Sequence, residues 1–206
     1  PLFGGVTQAL CNLYVTKAKD IRNSHKISFR NERQFNYMEQ NNIRMLDDNL
    51  SIVWHSEDEV NKLIQLKKFP KIKDIECVIN KRGELDMSLN KSYISETPTD
   101  LRLLKGGDIG QYFLTKQPKL FVNSNFLECT AKSQFVLQDR IICPQISNQT
   151  TKTRLKFSLV NRSHVLANSC NFIYVEHNNL GYDLYYFLGL LNSDLLNWYF
   201  KKFSSN

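Results

Sequence analysis

Residues 101–113 combine glycines with cations in a pattern that could bind an anion. Three glycines lie within five residues, between the cations Arg102 and Lys105 and the pair Gln111 and Tyr112. Glycine reaches positive φ at low cost and lets backbone N–H groups approach a ligand closely. Flanked by cations, such a turn can hold a phosphate or present side chains to a DNA groove. The alternative is a plain turn between two short strands, so the rest of the chain must decide.

Basic and amide side chains recur through the centre of the chain, mostly at predicted turns. Arginine and lysine pair with phosphates and guanine edges, asparagine and glutamine can bond adenine, and exposed aromatic rings can stack on bases. A solvated sheet surface carries the same residue types, so for any single residue that alternative stays open. The residues that we predict to contact DNA are Lys81, Arg82, Arg102, Lys105, Gln111, Tyr112, Gln145, Asn148, Lys152 and Arg154.

Residues 144–154 form the most specific local candidate, a long polar segment between two predicted strands. It could present side chains to a groove, although a flexible hairpin loop would have a similar composition. The predicted phosphate anchors are Lys81, Arg82, Lys105 and Arg154, and the predicted base or groove contacts are Gln111, Tyr112, Gln145 and Asn148. Replacing Lys105 and Arg154 with alanine should flatten the salt dependence of binding by roughly one unit of slope per lost phosphate contact.

The sequence lacks the motifs of DNA methyltransferases and of the commonest metal-dependent nucleases. No two of the five prolines are adjacent, which excludes the Pro-Pro loop of an amino-methyltransferase, and no Asp or Glu has Lys two positions on, as a common nuclease motif requires. The four histidines lack metal-ligand spacing. Cys129 and Cys143 would need a spatial partner to act as nucleophiles, and small buried residues are the preferred interpretation. We therefore predict no catalytic residue, metal ligand or cofactor in this chain.

Length and composition limit the classes of protein to which the chain can belong. The chain has 206 residues, 42% of them hydrophobic, which suits one good-sized domain with a core, and its net charge of +7 favours a polyanionic partner. Five widely spaced cysteines without a C-x-x-C pair indicate a reducing cytoplasm. No apolar run is long enough for a membrane span. Because the chain starts at Pro1 rather than Met, we expect it to be a piece of a larger protein.

Periodicity predicts an α+β fold: a curved, mainly antiparallel sheet with a preceding helix and a C-terminal helical pair. Ser56 and Glu59 have the spacing of a capping box before a helix, and Ser193 is suited to cap the last helix. The apolar run at residues 182–191 predicts the other member of that pair. The predicted strands are residues 72–79, 93–94, 113–114, 120–122, 135–137, 140–143, 155–159 and 172–175.

Four segments resemble, in family order, the target recognition domain of restriction–modification proteins, as in adenine-N6 DNA methyltransferases with a TaqI-like C-terminal specificity domain. Residues 72–84 resemble the opening strand and glycine turn. Residues 103–112 match Leu-Leu-x-Gly-x-x-Ile-x-x-Tyr, residues 140–147 match basic-Ile-x-x-x-x-Ile-Ser, and residues 188–193 resemble the late Leu-Asn-Ser corner. Residues 2–16 are similar to the closing strands of a methyltransferase domain. We therefore assign residues 1–49 to the tail of that upstream domain and a connector, and 50–206 to DNA target recognition.

The resemblance implies sequence readout of double-stranded DNA beside a methyltransferase domain of the same chain. S-adenosylmethionine is then the expected cofactor of the parent protein, which would also need Mg²⁺ if it cleaves DNA. The resemblance leaves open whether the parent is a methyltransferase or a type II restriction–modification enzyme.

Two alternatives to DNA recognition come from other residues. A protein-interaction module would dock through the aromatic C-terminal helices and would expose Trp198, Tyr199 and Phe203. A nuclease would need carboxylates clustered in space, for which the candidates are Glu84, Asp86 and Asp108.

Overall fold

A computed structural model describes residues 13–15, 17, 25–31, 34–46, 52–176 and 181–204. The chain divides into two compact units, residues 1–66 and 67–206. The predicted methyltransferase-like strands at 2–16 lie outside the described residues, apart from 13–15, which form no regular element. The assignment of residues 1–49 to an upstream domain stays a prediction.

The described residues of the first unit form a two-stranded antiparallel hairpin and two helices. Its elements are β1 (Lys26–Asn31), β2 (Gln34–Glu39), α1 (Gln40–Leu46) and α2 (Glu57–Leu66). The capping box at the start of α2 is confirmed, since Glu59 N donates to Ser56 Oγ at 3.3 Å and Ser56 N donates to Glu59 Oε2 at 3.1 Å. Val60 and Leu63 form its buried stripe.

The described residues of the second unit form two open four-stranded sheets. Their strands are β3 (Val78–Arg82), β4 (Ile94–Ser95), β5 (Leu101–Leu104), β6 (Leu120–Val122), β7 (Arg140–Pro144), β8 (Ser158–Val160), β9 (His164–Leu166) and β10 (Cys170–Val175). The first sheet has the order β3-β10-β7-β8 and the second β4-β6-β5-β9. All pairs are antiparallel except β5 with β9. The α+β class with mainly antiparallel strands is confirmed, although the strands divide between two sheets.

Alternating side chains of the first sheet pack into two different cores, because successive residues of a strand point to opposite faces. On β10, Phe172 contributes to a cluster with Leu104 and Leu166 of the second sheet. Its neighbour Ile173 contributes to a cluster with Phe187 of the C-terminal helices. The first sheet therefore lies between the second sheet and the helical pair.

The C-terminal pair consists of α5 (Leu184–Leu191) and α6 (Asp194–Phe203), and both begin at capping side chains. The Asp183 carboxylate accepts a hydrogen bond from Tyr186 N, and Ser193 Oγ accepts one from Leu196 N. The predicted helical pair and its Ser193 cap are confirmed. Among the described helices, none combines the length and the apolar content that a membrane span requires.

Five predicted strands are wrong in whole or in part. Residues 113–114 form no strand, only an isolated bridge of Leu114 with Ile109, while β4 starts at Ile94 rather than at Tyr93, and β8 starts at Ser158 rather than at Leu155. The predicted strand at residues 135–137 is mostly a short helix, α4 (Ser133–Val136). A second short helix, α3 (Phe126–Cys129), precedes it in the chain. Phe135 and Val136 are aromatic and β-branched, yet the helical turn lets them fill two separate core clusters. Residues 72–79 begin with a 3-10 turn at Ile72–Asp74, and the strand starts only at Val78.

Candidate nucleic-acid interface

The glycine turn and the polar segment, which are distant in sequence, form opposite walls of one cleft. The turn is a single 3-10 turn, Gly106–Asp108, which directly follows β5 and Lys105. The polar segment leaves the end of β7. The cleft between them has a volume of about 380 Å³ and is lined by residues 106, 107, 109, 144–148, 151, 154, 156 and 169.

Ser169 joins the two walls of this cleft. Its hydroxyl oxygen accepts a hydrogen bond from Gly106 N at 3.1 Å, and its carbonyl accepts one from Gln145 N at 2.8 Å. A Cβ atom at Gly106 would lie 2.6 Å from that carbonyl oxygen, so glycine is required for this close approach. Nothing lies within 4 Å of a Cβ atom placed at Gly107, which is exposed at the rim.

Helix α6 holds the far end of the polar segment through one side chain. Asn197 Oδ1 accepts hydrogen bonds from Arg154 N at 2.8 Å and Leu155 N at 3.2 Å. Its Nδ2 donates to Lys152 O at 3.2 Å, and Lys201 Nζ donates to the same carbonyl. These bonds satisfy the backbone of an otherwise irregular segment, so the segment is anchored to a helix rather than only to its flanking strands.

Arg154 is the one predicted phosphate anchor that the structure buries. It is only 5% exposed, and its guanidinium lies 4.8 Å from the centre of the Phe200 ring. Its Nη1 donates to Ser204 O at 2.8 Å and its Nε to Ser147 Oγ at 3.3 Å. Arg154 thus helps to hold the polar segment against α6, and a contact with DNA stays a prediction.

The other predicted residues of this segment face solvent. Gln145, Asn148 and Lys152 are exposed. Asn148 also shapes the tip of the segment, since its Oδ1 accepts from Thr150 N at 2.9 Å and its carbonyl from Thr151 Oγ1 at 2.8 Å. The segment therefore presents amide and ammonium groups to solvent, and hydrogen bonds of Asn148 hold the backbone at its tip.

A group of three cations lies at the end of β3 and the start of α4. Lys81 and Arg82 are exposed, as predicted contacts should be, and Arg82 Nε donates to Asn168 O at 2.8 Å. Lys132 Nζ donates to Arg82 O at 2.8 Å and to Gly83 O at 3.1 Å. Sequence reasoning missed Lys132, because no local pattern links it to a strand 50 residues earlier. Arg82 thus contacts Asn168, which directly precedes the cleft residue Ser169 in the chain.

The remaining predicted contacts differ in what they offer to a ligand. Gln111 is half-buried and its Nε2 donates to Asn192 O at 2.9 Å, which fixes the turn to the end of α5. Tyr112 is 54% exposed and has a positive φ of 71°. Arg102 is exposed on β5, whereas Lys105 is half-buried beside the glycine turn.

The carboxylates proposed for a nuclease are bonded to different parts of the fold. Glu84 forms a buried ion pair with Arg140, and Asp108 Oδ2 accepts from Lys105 N at 2.9 Å. Asp86 accepts from the backbone N–H groups of Ser88 and Leu89, which lower the pKa of its carboxyl. Within the described residues, no group of three His, Cys, Asp or Glu side chains is placed to hold a metal ion.

Two central thiols are unsuited to nucleophilic chemistry. Burial raises the pKa of both the Cys143 and the Cys170 thiols to about 12. The thiolate, not the thiol, is the nucleophile, so these two groups stay unreactive near neutral pH.

Aromatic residues on α6 are only partly covered. Trp198 and Phe203 are half-buried, and Tyr199, which is 36% exposed, packs its ring 4.9 Å from that of Phe203. Docking of a protein partner through these residues stays a prediction.

A comparison with protein families matches most of this unit. The model of a family described as the TaqI-like C-terminal specificity domain matches residues 101–206, which include the glycine turn, the polar segment and both C-terminal helices. No curated protein matches the chain.

Proposed function

The chain belongs to the TaqI-like C-terminal specificity domain family, which indicates a DNA-recognition role in restriction–modification proteins, and we propose that it reads a specific sequence of duplex DNA. The observation that carries this proposal is the cleft at which the glycine turn and the polar segment meet. Exposed amide side chains at Gln145 and Asn148 border it. Such groups can make paired hydrogen bonds to base edges, which specify sequence.

The cations would supply affinity in this proposal. Lys81, Arg82 and Lys152 are exposed, and cations that contact phosphates position a protein on the duplex without reading its sequence. The net charge of +7 favours the same partner.

The chemistry would belong to another domain. The proposed role is to place a methyltransferase domain of the same protein, which would bind S-adenosylmethionine, on its site in the cytoplasm, with Mg²⁺ needed only if the parent protein also cleaves DNA. The described residues offer no cluster for a metal ion, so no reaction step is assigned to them.

Selection from a random duplex pool at near-physiological salt tests sequence recognition directly. We expect the bound fraction to be enriched in one motif of a few base pairs. Salt-sensitive binding without an enriched motif would contradict sequence-specific recognition and leave a backbone-binding module. No binding, even at low salt, would contradict the DNA-binding proposal itself.

Salt titration tests the phosphate contacts. Lys105→Ala and Lys152→Ala should each reduce the slope of log affinity against log salt by about 0.9 if each contacts one phosphate. Lys62→Ala is the matched control, since it removes the same charge from α2, where Lys62 is paired with Asp58. Arg154→Ala is unsuitable because the buried guanidinium also supports the polar segment. Unchanged slopes for both test variants would refute these two contacts.

A further inference from the structure

We infer that the turn at residues 110–113 is a stacking site for nucleobases, with the rings of Tyr112 and Phe113 as its binding surface. This inference rests on the proposed DNA-binding function and adds a mode of contact to it. The two side chains are 54% and 65% exposed, so two consecutive aromatic rings face solvent. Neither ring belongs to the core clusters of the described residues.

The backbone beneath these rings is held in place from inside. Gly110 N donates to Phe113 O at 2.9 Å, which closes the turn. The buried hydroxyl of Ser158 lies 3.0 Å from Gly110 O and 2.9 Å from Phe113 O. Tyr112 N donates to Phe157 O at 2.8 Å. A fixed backbone lowers the conformational entropy that the rings would lose on binding.

Tyr112 occupies a backbone conformation that suits glycine better. Its φ of 71° lies in the left-handed region, which a side chain with a Cβ atom adopts only at a cost. Strained positions of this kind cluster at binding and catalytic sites. A tyrosine at the tip of the turn therefore points to a use for its ring that offsets the strain.

Charge and position favour nucleic acid as the occupant of this turn. Residues 109–127 contain Lys116 and Lys119, both exposed, and no Asp or Glu. The turn directly follows Ile109, which lines the cleft, and through Tyr112 N it bonds to Phe157, the residue after the lining residue Lys156. A ligand that combines negative charge with flat apolar faces fits this surface, and nucleobases on a phosphate backbone have both properties.

Stacking on the rings would require the duplex to open locally. Bases inside a duplex already stack on each other, so an aromatic wedge gains contact only where a base step is unstacked. Such contacts tolerate any base. The turn would therefore contribute affinity and distortion, while the polar segment reads the sequence.

The test uses the full 206-residue chain and the duplex that binds most tightly in the pool selection, with 2-aminopurine substituted for each adenine in turn. We expect the wild-type chain to raise 2-aminopurine fluorescence at one or more positions. Tyr112→Gly and Phe113→Ala should abolish that rise and weaken binding about tenfold each. Their salt slopes should equal that of the wild type, because no phosphate contact is lost. Tyr185→Ala is the control, since it removes an exposed ring from α5.

Folding is monitored by the melting temperature, which should not fall in Tyr112→Gly because glycine relieves the positive φ. Variants that bind as tightly as the wild type would overturn the stacking site alone. The stacking site would also be overturned if the variants bound DNA more weakly but the wild-type chain did not change the 2-aminopurine fluorescence at any position. A wild-type chain that binds no duplex would overturn the proposed function, and the stacking site with it.

Discussion

Adjacent residues of one type have different roles in the cleft, as the glycine turn shows. Gly106 lies against the carbonyl of Ser169, whereas Gly107 faces open space. The sequence showed that glycines were concentrated here, but only the position of Ser169, 63 residues further along the chain, separates their roles.

The two glycines provide a matched pair of variants. Gly106→Ala should lower the free energy of unfolding by about 1–3 kcal/mol, because a methyl group pressed on backbone forces the two walls apart. Gly107→Ala should change it by no more than about 0.5 kcal/mol. Urea unfolding of both variants measures the difference. Equal effects would contradict the close approach of Gly106 to Ser169.

Asp86 should make stability depend on pH. Backbone N–H groups of Ser88 and then Leu89 stabilise its ionised form and lower its pKa. Because the folded pKa lies below the unfolded one, the contribution is fully present above about pH 4 and is lost as pH falls through the folded value.

Asp86→Asn tests this pH dependence. The variant should be less stable than the wild type at neutral pH, and the difference should shrink as pH falls below about 4. Unfolding free energies measured between pH 2 and 7 check this, with Asp100→Asn, an exposed carboxylate in the loop before β5, as the control. A difference that does not vary with pH would exclude an ionic role for Asp86.

At the scale of elements, helix α6 acts as the support of the polar segment. Local patterns predicted both the helix and the segment, but not that Asn197 bonds to Arg154, 43 residues away. The junction between α5 and α6 holds the backbone at Phe157 in the same way. The buried side chain of Asn192 accepts a hydrogen bond from Phe157 N at 3.0 Å and donates one to Phe157 O at 2.9 Å. The helical pair therefore sets the geometry of both the polar segment and the turn at residues 110–113.

Asn197→Ala should release the polar segment. The loss of its hydrogen bonds should cost about 1–2 kcal/mol of stability, speed amide exchange at Arg154 and Leu155, and weaken DNA binding without changing its salt slope. Hydrogen exchange measured by mass spectrometry and a salt titration test both effects. Leu195→Ala, at an exposed position of the same helix, is the control. Wild-type exchange at Arg154 and Leu155 in the Asn197 variant would refute the support role.

At the scale of the whole second unit, one buried ion pair connects the two sheets. The carboxylate of Glu84 bonds to Arg140 Nη1 of β7 and, through Oε2, accepts from Leu166 N of β9 at 2.8 Å. Arg140 Nη2 donates to His164 O of β9 at 2.6 Å, and burial lowers the pKa of this guanidinium. Arg140 is fully buried.

Breaking this pair should destabilise the unit strongly. Arg140→Met leaves the Glu84 carboxylate buried without its cation and should cost about 3–5 kcal/mol. The double variant Glu84→Gln/Arg140→Met should cost less than the sum of the two single variants, because no unpaired buried charge remains. A double-mutant cycle from urea unfolding provides the comparison. Additive effects would mean that the two side chains act independently.

The sequence by itself determined what depends on neighbours along the chain. The capping box at Ser56, the cap at Ser193, the strand at Leu120–Val122 and the helical pair all rest on hydrogen bonds or periodicity within a few residues. The resemblance of four short segments likewise identified the family that the later comparison shows.

The tertiary structure alone decided what depends on residues far apart. It placed Phe135 and Val136 in a helix, buried Arg140 and Arg154, and brought Lys132 to the end of β3. It also joined the glycine turn to the polar segment through Ser169. The physical reason is that burial and long-range hydrogen bonds are set by how sheets and helices pack, and partners such as Glu84 and Leu166, 82 residues apart, leave no mark in either local sequence.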